Sequence, residues 1–277
     1  LVQLADFVDK YRDRIAYVLV GNETQAPTRL RTQEELINMI RRVRKVLDGR
    51  VRVSAAEIYS TWLSDGRLNE ELIREVDIVT VHLYPYFDGR SARDGAQYLY
   101  SRLDELRAGM RARSLERPIV VGETGFPSQG RIVGEAVPSP DALGMYLADL
   151  LWYAPLRPEY LIFWFNVADA YWQKVAELGR PPLEQYGVEA SFGIFTWDRR
   201  LRPQIVHLFP PVPLPRDESR YWKVFERGQL CYGCDAGVFS SRGNFDTLFT
   251  AGVALEFHKR EGDCAAGYFV TRGKTHR

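Results

Sequence analysis

Cysteine is missing from the first 230 residues of this 277-residue chain; Cys231, Cys234 and Cys264 are the whole supply. The main part of the molecule therefore gains nothing from disulfides, whatever its compartment. Long apolar runs are missing too: none approaches the roughly 18–20 residues of a membrane-spanning helix. Neither sign of charge prevails, with 37 Lys and Arg against 36 Asp and Glu and a net charge of +1. Nucleic acid and anionic membrane surfaces consequently have no electrostatic claim on the chain. No glycine-rich phosphate loop follows any strand-like run, which argues against a dinucleotide fold. A signal peptide is absent as well. The chain opens at Leu1 in a mid-helix pattern, apolar at Leu1, Leu4, Phe7, Val8 and Tyr11, so we expect an N-terminus shortened or removed by processing.

What is present is apolar surface enough for a large core: 45% of residues are hydrophobic and 13% aromatic. Six Trp, fifteen Tyr and fourteen Phe suit a sugar-binding cleft, but ordinary cores use the same rings. The first 200 residues alternate strand-like and helix-like segments. A helix at 1–14 precedes a strand at 16–21 that runs into Asn22-Glu23. Thr32-Gln33-Glu34-Glu35 opens a helix to Leu47, with Leu36, Ile37, Ile40, Val43 and Val46 as its apolar stripe. Next come a strand at Val51–Glu57, a helix at Leu68–Val76 and a strand at Asp77–Tyr84. A long helix from Ala92 to Arg113, a strand at Ile119–Gly122, a helix at Asp141–Trp152 capped by Ser139, and a strand at Tyr160–Phe165 complete the series.

Strands separated by helices imply βαβ units and a parallel sheet, and continuous apolar strands imply burial on both faces. Polar and aromatic residues gather at the strand ends: Asn22 and Glu23, Glu57, His82 with Tyr84 and Tyr86, Glu123, and Asp169 with Trp172. On a (β/α)₈ barrel they converge on one mouth, whereas an open sheet spreads them along an edge; convergence favours the barrel.

Two acids at strand ends, Glu23 and Glu123, are the minimum equipment of a glycosidase. Asn22 is placed to hydrogen-bond a sugar hydroxyl, and Tyr84 to orient a nucleophile. The bland alternative is a pair of rim salt bridges. Glu57 has two readings, a sugar ligand or a rim ion pair. His82 either tunes Glu123 or is an ordinary satisfied buried histidine. Trp172 and Trp62 are candidate stacking platforms, with core packing favoured for Trp62.

Val20-Gly21-Asn22-Glu23, Val79-Thr80-Val81-His82-Leu83-Tyr84-Pro85-Tyr86-Phe87 and Val121-Gly122-Glu123-Thr124-Gly125-Phe126-Pro127-Ser128 resemble glycoside hydrolase family 17, in order and spacing, over residues 1–203. The likeness is greatest to the bacterial branch acting on β-1,3-glucan. It implies a retaining (β/α)₈ TIM barrel, here partial (strands 4 to 8), with Glu23 as acid/base and Glu123 as nucleophile. Asp169-Ala170-Tyr171-Trp172-Gln173-Lys174 is similar to a sugar-binding element of that family, and Phe126 stands where its Trp is usual. The expected sugar-binding set is thus Asn22, Glu57, Tyr84, Tyr86, Phe126, Asp169, Trp172 and Lys174. The partner is a β-glucan oligo- or polysaccharide, and no metal or organic cofactor is needed. An extracellular, periplasmic or cell-envelope location is expected, as is a natural protein longer by roughly 80–100 N-terminal residues, at about 30 residues per missing unit.

Residues 204–218 read as a stiff linker, since five prolines fall between Pro203 and Pro215. Residues 219–277 read as a small β-rich appendage. Cys231-Tyr232-Gly233-Cys234 leaves three readings: zinc with Cys264 and His258 or His276, a disulfide, or plain thiols, the last being the default.

Overall fold

The computed structural model describes residues 2–26, 31–170 and 188–208, with two further strands at 254–257 and 268–271. Trp172, Lys174, the three cysteines and most of the proline-rich stretch lie outside the described residues.

In chain order the elements are α1 (Val2–Lys10), β1 (Tyr17–Asn22), α2 (Gln33–Leu47), β2 (Arg52–Ile58), α3 (Tyr59–Trp62), β3 (Leu63–Ser64), β4 (Arg67–Leu68) and α4 (Glu70–Glu75). They continue with β5 (Val79–His82), α5 (Ala92–Arg111), β6 (Ile119–Thr124), α6 (Pro140–Tyr153) and β7 (Leu161–Trp164). The expected alternation is all there. The short α3 and the two-residue hairpin β3–β4 were not anticipated, because segments this short carry no readable periodicity.

Local chemistry sets the helix starts. The Thr32 hydroxyl accepts the Glu35 N–H at 3.2 Å, and the Glu35 carboxylate accepts the Thr32 N–H at 2.8 Å, so two orphan donors are satisfied reciprocally. Ser139 caps α6 by accepting the Ala142 N–H at 3.0 Å, with Pro140 in the first turn. The buried stripe of α2 is Leu36, Ile37, Ile40, Val43 and Leu47. Val46, expected in that stripe, is only half-buried.

Five strands form one sheet in the order β1-β2-β5-β6-β7. The pairings β1–β2, β2–β5 and β5–β6 are parallel. Each new strand joins on the same side as the last. A doubly wound sheet reverses at a switch point, so this order belongs to the wall of a barrel. Between the strands, Ser54 Oγ donates to the Ile78 carbonyl at 2.6 Å and meets Thr80 Oγ1 at 2.9 Å, which keeps the buried hydroxyls satisfied.

The chain divides into two compact units. One comprises Leu1–Tyr84, Gln97–Thr124 and Pro158–Ile162; the other takes Pro85–Ala96, Gly125–Arg157 and everything from Phe163 on. Trp62 is fully buried in the first, and its indole N–H donates to the Thr80 carbonyl at 3.1 Å. It is a core residue and not a stacking platform. Trp62→Ala is expected to lower unfolding stability by about 3–5 kcal/mol, read from the midpoint of a urea transition.

The second unit packs around rings. Tyr86 lies 5.8 Å from Phe126 and 6.4 Å from Phe192, Phe126 lies 6.0 Å from Tyr146, and Tyr146 lies 5.7 Å from Trp164. Pro203–Leu208, the start of the proline-rich stretch, is a 3-10 helix with Ile205 buried. Near the C-terminus, β8 (Ala254–Phe257) and β9 (Tyr268–Thr271) pair antiparallel. No helix among the described residues is long and apolar enough to cross a membrane.

Candidate active site

Both acids sit where a strand ladder slips. β1 and β2 stay in step to Leu19–Ser54 and resume at Asn22–Ala56, so β1 carries one extra residue before Glu23. β5 and β6 run in step to Val81–Val121 and resume at His82–Glu123, leaving Gly122 as the extra residue. Such bulges re-aim the side chains beside them. Gly122 has no alternative at its site: a Cβ there would lie 2.7 Å from Thr80 Cγ2 and 2.9 Å from His82 Nε2.

Glu23 itself has φ +50, following Gly21 at φ +82. A left-handed backbone is uncommon for a residue with a side chain. Its N–H donates to the Ala56 carbonyl at 2.8 Å, tying the turn to β2.

His82 is buried, and its Nδ1 lies 2.9 Å from Glu23 Oε1 and 3.5 Å from Glu123 Oε2. The Tyr84 hydroxyl donates to Glu123 Oε2 at 2.7 Å. One carboxylate oxygen from each acid and one nitrogen of His82 all lie within 4.8 Å of one another. A flat sheet would hold the ends of β1 and β6, three strands apart, at about 14 Å. The sheet must curl for the acids to meet, as a barrel wall does.

Burial lifts the Glu123 pKa above the ordinary carboxylate range; the His82 charge and the Tyr84 hydrogen bond pull it down, and the nearby Glu23 charge pushes it up. Tyr84→Phe removes a donor that favours the ionised form. The acid limb of any activity that requires ionised Glu123 is therefore expected to move to higher pH, with kcat/KM down roughly 10-fold, measured as a pH–rate profile.

The other expected site residues divide. Asn22 is exposed beside Glu23, where a ligand can reach it. Glu57 is fully buried and accepts three hydrogen bonds from Thr24 and Gln25. Neither a sugar ligand nor a rim ion pair describes it, and both readings are corrected. Tyr86 and Phe126 are fully buried in their ring cluster, and Tyr86 donates to the Arg131 carbonyl at 2.7 Å. They pack the second unit and offer no face to a sugar. Asp169 pairs with buried Arg202 at 2.6 Å and accepts the Gly193 N–H at 3.0 Å. Its carboxylate is occupied in neutralising a buried cation, which corrects its assignment to sugar binding. Thr24 was missed, because nothing in Glu23-Thr24-Gln25 reveals a partner 33 residues away.

A family model described as the BtgE/BtgC glycoside hydrolase domain matches residues 2–193. The chain belongs to that family. The span matched to the BtgE/BtgC glycoside hydrolases takes in both acids, His82 and Tyr84. Among solved structures the chain is similar to the glycoside hydrolase family 17 β-1,3-glucanosyltransferase of Rhizomucor miehei. Identity is 23% and the TM-score 0.57, over 72% of this chain and 68% of that one. An active-site mutant of the Rhizomucor enzyme in complex with laminaritriose gives the same values. An endo-laminarinase from Formosa Hel1_33_131 is 17% identical with a TM-score of 0.60, over 71% of this chain and 58% of that one. At these identities the likeness speaks for the fold, which is the parallel α/β sheet of the TIM-barrel glycoside hydrolases. Comparison with curated proteins gives no match.

Proposed function

We propose that this member of the BtgE/BtgC glycoside hydrolase family is a retaining glycosidase or glucanosyltransferase acting on β-1,3-glucan, with Glu123 as nucleophile and Glu23 as acid/base. The observation that carries the reading is the meeting of two carboxylates around one buried histidine, with the Tyr84 hydroxyl turned onto Glu123. Two acids separated by the reach of one anomeric centre suit double displacement, for which carboxyl groups stand roughly 5–5.5 Å apart.

In the first step a Glu123 oxygen bonds to the anomeric carbon while the glycosidic C–O bond breaks, and Glu23 delivers its proton to the departing oxygen. In the second, Glu23 takes a proton from water or from a sugar hydroxyl, whose oxygen bonds to the anomeric carbon as the ester to Glu123 opens. Two inversions restore the starting configuration. Asn22 is assigned the sugar hydroxyl beside the reacting carbon. The β-1,3 linkage is supported by the motif resemblance and by the names of the structural relatives, a β-1,3-glucanosyltransferase and an endo-laminarinase. A polysaccharide substrate of this kind suits an extracellular, periplasmic or cell-envelope location.

Incubation with laminarin, barley glucan, cellulose oligomers and mannan, followed by product separation, tests the reading. Shorter products from laminarin indicate hydrolysis and longer ones transfer. Turnover of cellulose oligomers or mannan alone would favour a β-1,4-cleaving barrel, and binding without turnover a glucan-binding protein on the same scaffold. The trio Glu23, His82 and Glu123 also has the spacing to hold a divalent cation, so one arm adds a chelator. Activity that survives chelation supports the acid pair, and activity lost to it and regained with added metal does not.

A further inference from the structure

Glu57, next to last in β2, is a carboxylate with no exposure to solvent. Burying such a group is unfavourable unless its oxygens are satisfied, and among the described residues no cation pairs with it. All three donors come instead from the two residues that follow Glu23. Oε1 takes the Thr24 N–H at 2.9 Å and the Thr24 hydroxyl at 2.6 Å; Oε2 takes the Gln25 N–H at 2.9 Å. A charge buried purely for packing is better replaced by an apolar side chain, so the fold alone gives this carboxylate no reason to be there.

The geometry of the loop supplies one. The successive amides of Thr24 and Gln25 converge on this one anion, an anion-binding concavity of the kind a turn forms. Here the turn follows Glu23 at φ +50. If Glu23 relaxed to an ordinary backbone, the Thr24 and Gln25 amides would swing away together and Glu57 would lose its donors. The carboxylate therefore selects the left-handed form of Glu23, while the Ala56 carbonyl, one residue before Glu57, holds the Glu23 N–H at 2.8 Å. Thr24 is seated from the other side as well: a Cβ on Gly21 would lie 2.8 Å from its methyl group.

We infer that Glu57 is a positioning residue for Glu23, a buried anion that fixes the turn aiming the acid/base at the bond to be broken, with the Thr24 hydroxyl as its partner. This rests on the proposed role of Glu23. The inference concerns aim and not substrate contact, since Glu57 is sealed from any ligand.

A misaimed acid/base fails most where the leaving group most needs a proton. The test compares kcat/KM for two aryl β-laminaribiosides, 2,4-dinitrophenyl and phenyl, which share a glycone and differ in leaving-group basicity. In Glu57→Gln the new amide nitrogen faces the Gln25 N–H; in Thr24→Val the hydroxyl donor is gone. Both are expected to lose roughly 10- to 100-fold on the phenyl glycoside and less than about 3-fold on the dinitrophenyl one. Thr24→Ser keeps the hydroxyl and is expected to restore the ratio. An unchanged ratio in Thr24→Val, whether both rates fall together or both persist, overturns the inference, and this variant decides the matter if Glu57→Gln does not fold. Glu23→Ala on the same pair separates the two claims. If it too leaves the ratio unchanged, the acid/base reading fails; if it alone changes the ratio, only the role of Glu57 fails.

Discussion

Glutamine in place of Glu123 is expected to give a protein that no longer turns over β-glucan yet melts at a higher temperature near neutral pH. The loss follows from the assigned role: an amide cannot form the glycosyl ester, and activity should drop by roughly 10⁴-fold or more. The gain follows from burial, the main cause lifting the Glu123 pKa. The unfolded chain sheds this proton in the ordinary carboxylate range, and the folded protein keeps it to higher pH. Between those limits the folded state binds more protons, so stability falls as pH rises through the window. Below the ordinary range both states are protonated and the penalty is absent. The glutamine variant never acquires the charge. Its melting advantage should open as pH climbs through that window, persist at neutral pH and vanish in acid. Equal melting curves at neutral pH would count against a strained, ionised Glu123. The smaller variant Glu123→Ala adds a chemical check: azide admitted to the vacated space should partly restore turnover and yield an α-glycosyl azide.

Removing the other acid should hurt differently. Glu23→Ala is expected to lose about 10²–10⁴-fold on laminarin, because the departing sugar oxygen is strongly basic and needs its proton. A dinitrophenyl glycoside leaves without one, so the first step should survive and the glycosyl-enzyme should accumulate, seen as a burst of dinitrophenolate. Azide then attacks that ester without a base and releases a β-glycosyl azide. A variant that loses both substrates equally, or makes the α-azide, would remove Glu23 from the role. Opposite anomers from the two alanine variants are the signature that assigns the acids.

Much of this was open to inspection in the primary structure. The capping box at Thr32 and the Ser139 cap are local, and both helices start where those residues place them. The strand-end acids stood out because an apolar run closing on Glu is poorly explained by folding alone. Tyr84, a strand-end residue expected to orient the nucleophile, does hydrogen-bond Glu123, at 2.7 Å. Readings failed where a strand-end residue could turn either way. Tyr86 follows Tyr84 by two residues and Phe126 follows Glu123 by three, but both face a ring cluster, and Asp169 answers Arg202, 33 residues on. Glu57 had the right chemistry for a sugar ligand and the opposite surroundings.

The order of residues by itself determined that strands and helices alternate, that acids close two of the strands, and that no disulfide lies within the first 200 positions. These depend on period, capping and composition, which neighbours in the chain dictate. Only the folded arrangement decided that His82 touches both acids and that Glu57 grips the turn behind Glu23. Contacts of that kind depend on strand register, where a slip of one residue sends a side chain to the opposite face. The two bulges that set the register here are visible only once the strands have paired.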